Sequence, residues 1–303
     1  MKVGLIDVDG HNFPNLPLMK LAAYHKTKGD SVEWYEPLFS GHMDRVYMSK
    51  VFSFTQDYEY FVDATEIIKG GTGYNYPSGG TVLNDEIEHI YPDYSIYYEK
   101  IPEVKETAYG FLTRGCPRGC DFCIVKDKEG RTSRKVADLT EFWRGQKRIV
   151  LLDPNMFAAK EWRELSEQLI ESNAWVDFSQ GCDIRIMTQE KIDYIKQMKI
   201  KNIHFAWDRY EDKKIILPKF KQFKESTGWR KEKMTVYVLC NFNTTFEQDL
   251  ERVYTLRNMG YTPYVMIFNK ELLPRKHKLK KIQRWVNSKY AFYSCEKFEN
   301  YQG

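Results

Sequence analysis

The sequence predicts an α/β protein: an N-terminal Rossmann-like unit, a longer series of strand–helix repeats with a second parallel sheet, and a C-terminal helical extension. Three observations carry this expectation. Short runs of strand length alternate with segments of helical spacing along most of the chain. The segments between successive strands are long enough for crossovers, which parallel pairing requires. The composition agrees, since 42% hydrophobic and 29% charged residues over 303 positions suit a full core in about two domains.

Residues 2–8 (KVGLIDV) read as a buried parallel strand, an apolar run that ends in acids and Gly10. Asn15-Leu16-Pro17 opens a helix in which Leu18, Leu21, Ala22 and His25 recur at helical spacing, and Gly29 closes it. Residues 31–37 alternate as a strand, and 45–54 and 64–71 each read as a strand ending in a turn. Gly70-Gly71-Thr72-Gly73 marks a loop at a strand's C-terminal end, where open α/β sheets place their ligands. The first domain is therefore expected over 1–103, with a linker around IPEVKE.

The second run begins near Ala108. Strands are expected at 109–115, 148–153, 175–181, 203–208, 234–240 and 262–268, with helices around 137–146, 158–173, 188–199, 211–226 and 245–259. Thr188 and Thr245 stand where N-caps belong, each followed by acids of a first turn. This domain is expected over 104–270. A basic helical extension follows over 271–303, its helix reaching about Ser288.

Several functional classes are excluded at once. No apolar run reaches the roughly 18 residues of a spanning helix, and Asp7 and Asp9 interrupt any signal-peptide core, so a cytoplasmic protein is expected. A net charge of +4 is too small to imply nucleic-acid binding by itself. Six cysteines in a chain of this size do not make a disulfide scaffold. Three of them, Cys116, Cys120 and Cys123, nevertheless fall within eight positions, while Cys182, Cys240 and Cys295 are scattered and stay without an assigned role.

Cys116-Pro-Arg-Gly-Cys120-Asp-Phe-Cys123 follows the first strand of the second run. Three thiolates from one loop suit three irons of a 4Fe-4S cluster, leaving the fourth iron open. Pro117 and Gly119 suit a loop that folds back on itself. The competing reading is structural zinc, which asks for four ligands, commonly as two pairs, and no second pair is present.

The spacing of the three cysteines, the aromatic Phe122 before the last of them, and the position after a first strand resemble the radical S-adenosylmethionine superfamily. The resemblance covers about 104–270 and implies a partial (β/α)6 TIM-type barrel, with S-adenosylmethionine chelating the open iron. It implies reductive cleavage to methionine and a 5′-deoxyadenosyl radical, with an electron donor such as flavodoxin or ferredoxin. The hard chemistry then belongs to the cofactors.

Barrel sites lie at the C-terminal strand ends, which single out further candidates. The resemblance places Phe122 against adenine. Asp153 and Asn155 stand where the family carries a Gly-Gly-Glu-like motif, which this chain lacks. Arg185 suits the methionine carboxylate, and Gln180 or Asp183 the ribose hydroxyls; Asp208 and Asn241 end the next two strands. The plainer alternative makes Asp208 a helix cap and pairs Arg185 with Asp183.

A small Rossmann-like domain ahead of such a barrel is similar to that of cobalamin-binding members. The Asp-x-His-x-x-Gly motif starts at Asp9-Gly10-His11 but meets Pro14, so cobalamin, and with it a cobalamin-dependent methyltransferase, is not favoured. The tail cations Arg275, Lys276, Lys278, Lys280, Lys281 and Arg284 suit nucleic-acid phosphates or a solvated helix face, and the second is preferred. A non-catalytic iron–sulfur or zinc protein that binds nucleic acid is the rival function. No residue identifies the substrate, and no membrane partner is expected.

Overall fold

The computed structural model describes residues 1–10, 12–75 and 83–303; His11 lies outside the described residues. The chain divides into two compact units, Met1–Val150 with Ala159–Glu161, and Leu151–Ala158 with Trp162–Gly303. Both are α/β with parallel strands.

The first unit opens with β1 (Lys2–Asp7), α1 (Leu16–Thr27), β2 (Ser31–Trp34), β3 (Met43–Ser49) and β4 (Ala64–Gly70). Their sheet has the order β2-β1-β3-β4, parallel throughout. Because side chains alternate across a strand, Leu5 joins a cluster with Leu18, Leu21 and Ala22 of α1, while Ile6 packs with Tyr35, Met43, Val46 and Met48 on the other side. The central strands β1 and β3 are thus buried on both faces, as the middle of a parallel sheet requires, while β2 and β4 at the edges are more exposed. Asn15 caps α1 by accepting from the Leu18 N–H at 3.2 Å, and Pro17 lies in the first turn where it costs no hydrogen bond.

Polar side chains gather at the C-terminal ends of β1 and β3. Tyr97 Oη donates to Asp7 Oδ2 at 2.6 Å, and Asn15 Nδ2 donates to Ser49 Oγ at 2.9 Å. Burial raises the Asp7 pKa above the ordinary carboxylate range. The buried Asp9 carboxylate accepts from the Val51 and Phe52 amides and from Thr55 Oγ1. It thereby anchors the loop that follows β3.

Short helices α2 (Thr72–Asn75) and α3 (Asp85–Glu88) precede β5 (Thr107–Gly110) and β6 (Thr113–Arg114). Then come α4 (Val125–Lys128), β7 (Arg134–Lys135) and β8 (Arg148–Leu151), with β8 beside β5. The helix expected over 137–146 is absent; a single 3-10 turn stands at Leu139–Glu141. The Tyr94 hydroxyl takes the Phe142 carbonyl at 2.7 Å, Gly145 adopts φ +89°, and the Phe142 ring fills the space over Gly110. Tertiary partners have claimed the groups a helix would need.

The second unit alternates α5 (Trp162–Ser172), β9 (Trp175–Cys182), α6 (Gln189–Gln197), β10 (Lys199–Ala206), α7 (Lys213–Thr227), β11 (Met234–Cys240), α8 (Phe246–Asn258) and β12 (Thr262–Ile267). These four strands lie in the order β12-β11-β10-β9, all parallel. Thr188 and Thr245 cap α6 and α8 as expected, the second in a reciprocal capping box with Gln248. One sheet face is apolar: Phe205 meets Phe220 and Phe223 of α7 edge-on at 5.9 and 4.9 Å. The other face carries His204 stacked on Tyr237 at 5.2 Å, with Asp177 Oδ1 3.7 Å from His204 Nδ1 and the Tyr237 hydroxyl donating to Ser179 O at 2.8 Å. The tail forms α9 (Lys278–Asn287) and α10 (Lys289–Ser294). No helix among the described residues is long and apolar enough to cross a membrane.

Candidate functional site

In the first unit, the three cysteines lie on the excursion between the antiparallel pair β6 and β7. All three thiols are free of disulfides and half-buried. Glu129 closes the neck of this loop, since its carboxylate takes the Gly115 amide at 3.0 Å and Arg114 Nη1 at 3.0 Å. The Cys116 amide donates to Gly130 O at 3.2 Å and the Cys123 amide to Cys120 O at 3.0 Å. Gly119 holds φ +58°, which lets the chain double back between the first two cysteines. Phe122 is half-buried within the same loop. Among the described residues no three His, Cys, Asp or Glu side chains converge as a preformed metal cage.

Gly115 is the strictest position of the loop. Its φ is +85°, and a Cβ there would collide with the Thr132 carbonyl. Gly115→Ala is expected to destabilise the first unit by about 1–3 kcal/mol, the cost of a left-handed non-glycine residue with its clash. Urea unfolding measures this; an unchanged midpoint would show that the neck relaxes freely.

In the second unit, the expected polar residues sit at or just beyond strand ends. Asp153 and Asn155 follow β8 and are buried at 6% and 3% exposure. Between Phe178 and Cys182, β9 bulges against β10, with Gly181 at φ +121°. Such bulges re-aim side chains, and here Gln180 is exposed while Cys182 turns inward. Arg185 is committed to carboxylates: Nε to Asp183 Oδ1 at 2.8 Å and Nη1 to Asp212 Oδ2 at 2.7 Å. Its pairing with Asp183 is the plainer alternative of the sequence reading; Asp212 is an addition.

A second cation lies beneath the ends of β10 and β11. Arg252 of α8 is fully buried, with Nη1 donating to the carbonyls of Trp207 at 2.5 Å and Asp208 at 3.1 Å. Its Nη2 donates to Leu239 O at 2.8 Å and to Asp249 Oδ1 at 2.5 Å. Asp249, also buried, accepts from the Asn241 amide at 3.4 Å, and Asn241 Nδ2 donates to Phe268 O at 2.9 Å. Asn241 and Asn243 take φ +68° and +52°, in the left-handed region asparagine tolerates. One buried ion pair thus ties together the chain beyond β10, β11 and β12.

Asp208 is not a helix cap; Arg209 and Asp212 occupy the N-cap positions of the 3-10 turn Tyr210–Asp212 and of α7. Burial pushes its carboxyl up to about 6, against the opposing charges of Arg252 and Arg185 and with the help of Asp212. The folded-state value exceeds the ordinary 3.8, so this group disfavours folding progressively as pH rises from about 4 to about 6. Burial also raises the Cys182 and Cys240 thiols well above their ordinary value. Both therefore remain neutral thiols at physiological pH, poor metal ligands and poor nucleophiles. Cys295 is half-buried, with Sγ at 3.2 Å from Lys297 O.

The basic tail is partly engaged within the unit. Lys280 Nζ donates to Leu273 O at 2.6 Å, Lys278 lies 4.1 Å from the Phe246 ring, and Lys281 stacks over Phe298 and Tyr301.

The periodic pattern of the sequence gave no sign of Asp212, Arg252 or Glu129, and it offered Asp249 only as a first-turn acid behind the Thr245 cap. The i, i+3 spacing of Asp249 and Arg252 is legible, but on a helix it reads first as an exposed surface pair. No family model matches the chain, and no curated protein matches it. Among solved structures, the chain is similar to Streptococcus suis SuiB bound to the precursor peptide SuiA, with 10% identity and a TM-score of 0.42. The match covers 73% of this chain and 56% of that one, so the chain spans a little over half of that structure's length.

Proposed function

We propose that this chain is a radical S-adenosylmethionine enzyme whose Cys116, Cys120 and Cys123 hold a 4Fe-4S cluster. The observation that carries the reading is the loop itself: three thiols outside any disulfide at spacings of three and two residues, on a turn whose neck is held by Glu129 and which requires glycine at 115. The donor set fits, because thiolate is the ligand such clusters take and three thiolates leave one iron open. When bound, the cluster supplies the electron that cleaves S-adenosylmethionine to methionine and a 5′-deoxyadenosyl radical. A flavodoxin or ferredoxin is the matching reductant class.

The chain's own residues bind and orient in this reading. Phe122 offers its ring to adenine. Asp153 and Asn155 supply acceptors for the methionine ammonium, in place of the missing Gly-Gly-Glu. Gln180 or Asp183 receives ribose hydroxyls, and Asp208 and Asn241 complete the polar rim. Arg185 faces the carboxylate, a role that asks one of its bonds to Asp183 or Asp212 to open. The units are proposed as a Rossmann-like domain over 1–103, a partial barrel over 104–270 and a basic extension over 271–303.

The test is anaerobic reconstitution with iron and sulfide, followed by dithionite and S-adenosylmethionine. The expected result is about four irons per chain and stoichiometric or greater 5′-deoxyadenosine. Iron uptake with no nucleoside product would favour the non-catalytic alternative, and a tightly bound single zinc would overturn the reading.

A further inference from the structure

The cysteine loop stands on two feet. The chain enters it from β6 at Arg114 and leaves it through β7 at Arg134 and Lys135. Arg114 is held on three sides: Nη1 donates to Glu129 Oε1 at 3.0 Å, the guanidinium lies 3.5 Å over the Phe111 ring, and Nη2 faces Glu88 Oε1 at 3.9 Å. Beyond the other foot, Glu141 accepts from the Asp138 amide at 3.0 Å and meets His89 Nδ1 at 2.7 Å. Glu88 and His89 are consecutive residues at the end of α3, and neither the cysteine motif nor the strand pattern accounts for them.

A helix of four residues cannot hold its own place, so α3 borrows its position from α1. Ile87 is buried with Leu18, Leu21 and Ala22. Lys20 Nζ of α1 donates to the Glu88 carbonyl and to Glu88 Oε1, the second at 3.0 Å. A cleft of about 320 Å³, lined in part by Lys20, Glu88, Phe111, Val136 and Glu141, lies between these helices and the feet of the loop. Packing does not close this gap, and charge spans it instead. Lys20, Glu88, Arg114 and Glu129 form a row of alternating sign, which ends on the Gly115 amide next to Cys116. Single surface ion pairs contribute little, whereas a row in which each inner charge has two opposite neighbours gains more.

We infer that α3 is a clamp for the cysteine loop: Glu88 holds the entering foot through Arg114, His89 holds the returning foot through Glu141, and Lys20 fixes the clamp to α1. Arg114 and Glu88 are positioning residues, and neither is a cluster ligand. Glu88 acts through Arg114 and Glu129 on the Gly115 amide, and Gly115 in turn sets where Cys116 stands. The inference rests on the proposed function only in that the clamped loop is the one given to the cluster. Every residue of the clamp lies in the first unit.

The experiment is amide hydrogen exchange of the full-length chain without metal, followed by NMR at Gly115. That amide is bonded to Glu129 Oε2 at 3.0 Å and reports opening of the neck. Glu88→Gln keeps the shape of the side chain and removes its charge. It is expected to speed Gly115 exchange about two- to fivefold, the worth of one partly exposed ion pair. Glu129→Ala is expected to speed it about tenfold or more, because the acceptor is gone. Adding Glu88→Gln to Glu129→Ala should change nothing further, since the path runs through Glu129. An unchanged Gly115 rate in Glu88→Gln, or additive effects in the double variant, would overturn the inference. His89→Asn is expected to speed exchange of the Asp138 amide, which Glu141 holds. In the reconstituted chain, Glu88→Gln should leave the iron content at the parent's value and make the cluster's midpoint potential less negative, because net charge near a cluster helps to set its potential. A failed reconstitution counts against the proposed function alone, and the exchange rates still decide the clamp.

Discussion

A chain carrying alanine at Cys116, Cys120 and Cys123 together is expected to fold and to take up no cluster iron. All three thiols are half-buried and outside any disulfide, so their removal deletes ligands without opening a large cavity. After reconstitution, iron should fall from about four per chain to background, and 5′-deoxyadenosine to the level of a protein-free control. Circular dichroism should match the parent chain. Cys182→Ala and Cys240→Ala provide the contrast: these thiols are buried and held neutral, so their loss should leave iron untouched and cost packing instead. Full iron in the triple variant would mean that the metal sits elsewhere, and the proposed function would fall with it.

The second large effect is on stability. Arg252→Met is expected to lower the unfolding free energy by about 3–5 kcal/mol, because it strands a buried charge. Asp249 would keep its carboxylate at 1% exposure with no cation, and the carbonyls of Trp207, Asp208 and Leu239 would lose their donor. Urea titrations followed by fluorescence measure the loss. A double variant, Arg252→Met with Asp249→Leu, should recover part of it, since neither charge then remains unpaired. Recovery should stay incomplete because the three carbonyls remain without a partner. A loss below about 1 kcal/mol would show that water replaces the guanidinium.

The strands and helices of the second unit were largely legible. The expected strand 234–240 is β11 to the residue, and the helices around 188–199 and 245–259 begin at the expected caps, Thr188 and Thr245. The signal is strong there because each strand is a short apolar run and each helix has both a cap and a periodic face. Residues 137–146 misled for the opposite reason: their helical spacing is genuine, but Tyr94 and Gly110, far away in sequence, claim the Phe142 carbonyl and ring. Strand β10 begins at Lys199, ahead of the expected 203, because the polar Lys199 and Lys201 alternate outward and hide the strand from a search for apolar runs.

The sequence by itself determined the alternation of elements, the parallel pairing that crossovers impose, and the one cluster of thiols with ligand spacing. These are local properties, set by residue type and by separation along the chain. Only the tertiary structure decided which polar residues are spoken for. Arg185 reads as a free fork until Asp212, 27 residues away, is seen beside it. The pair Asp249–Arg252 reads as helix surface until burial makes it the tie between strand ends. Asp208 reads as a cap until burial, working against the nearby Arg252 and Arg185, raises its pKa. Hydrogen-bond partners and local dielectric are sums over neighbours brought together by folding, and no pattern of spacing along the chain contains them.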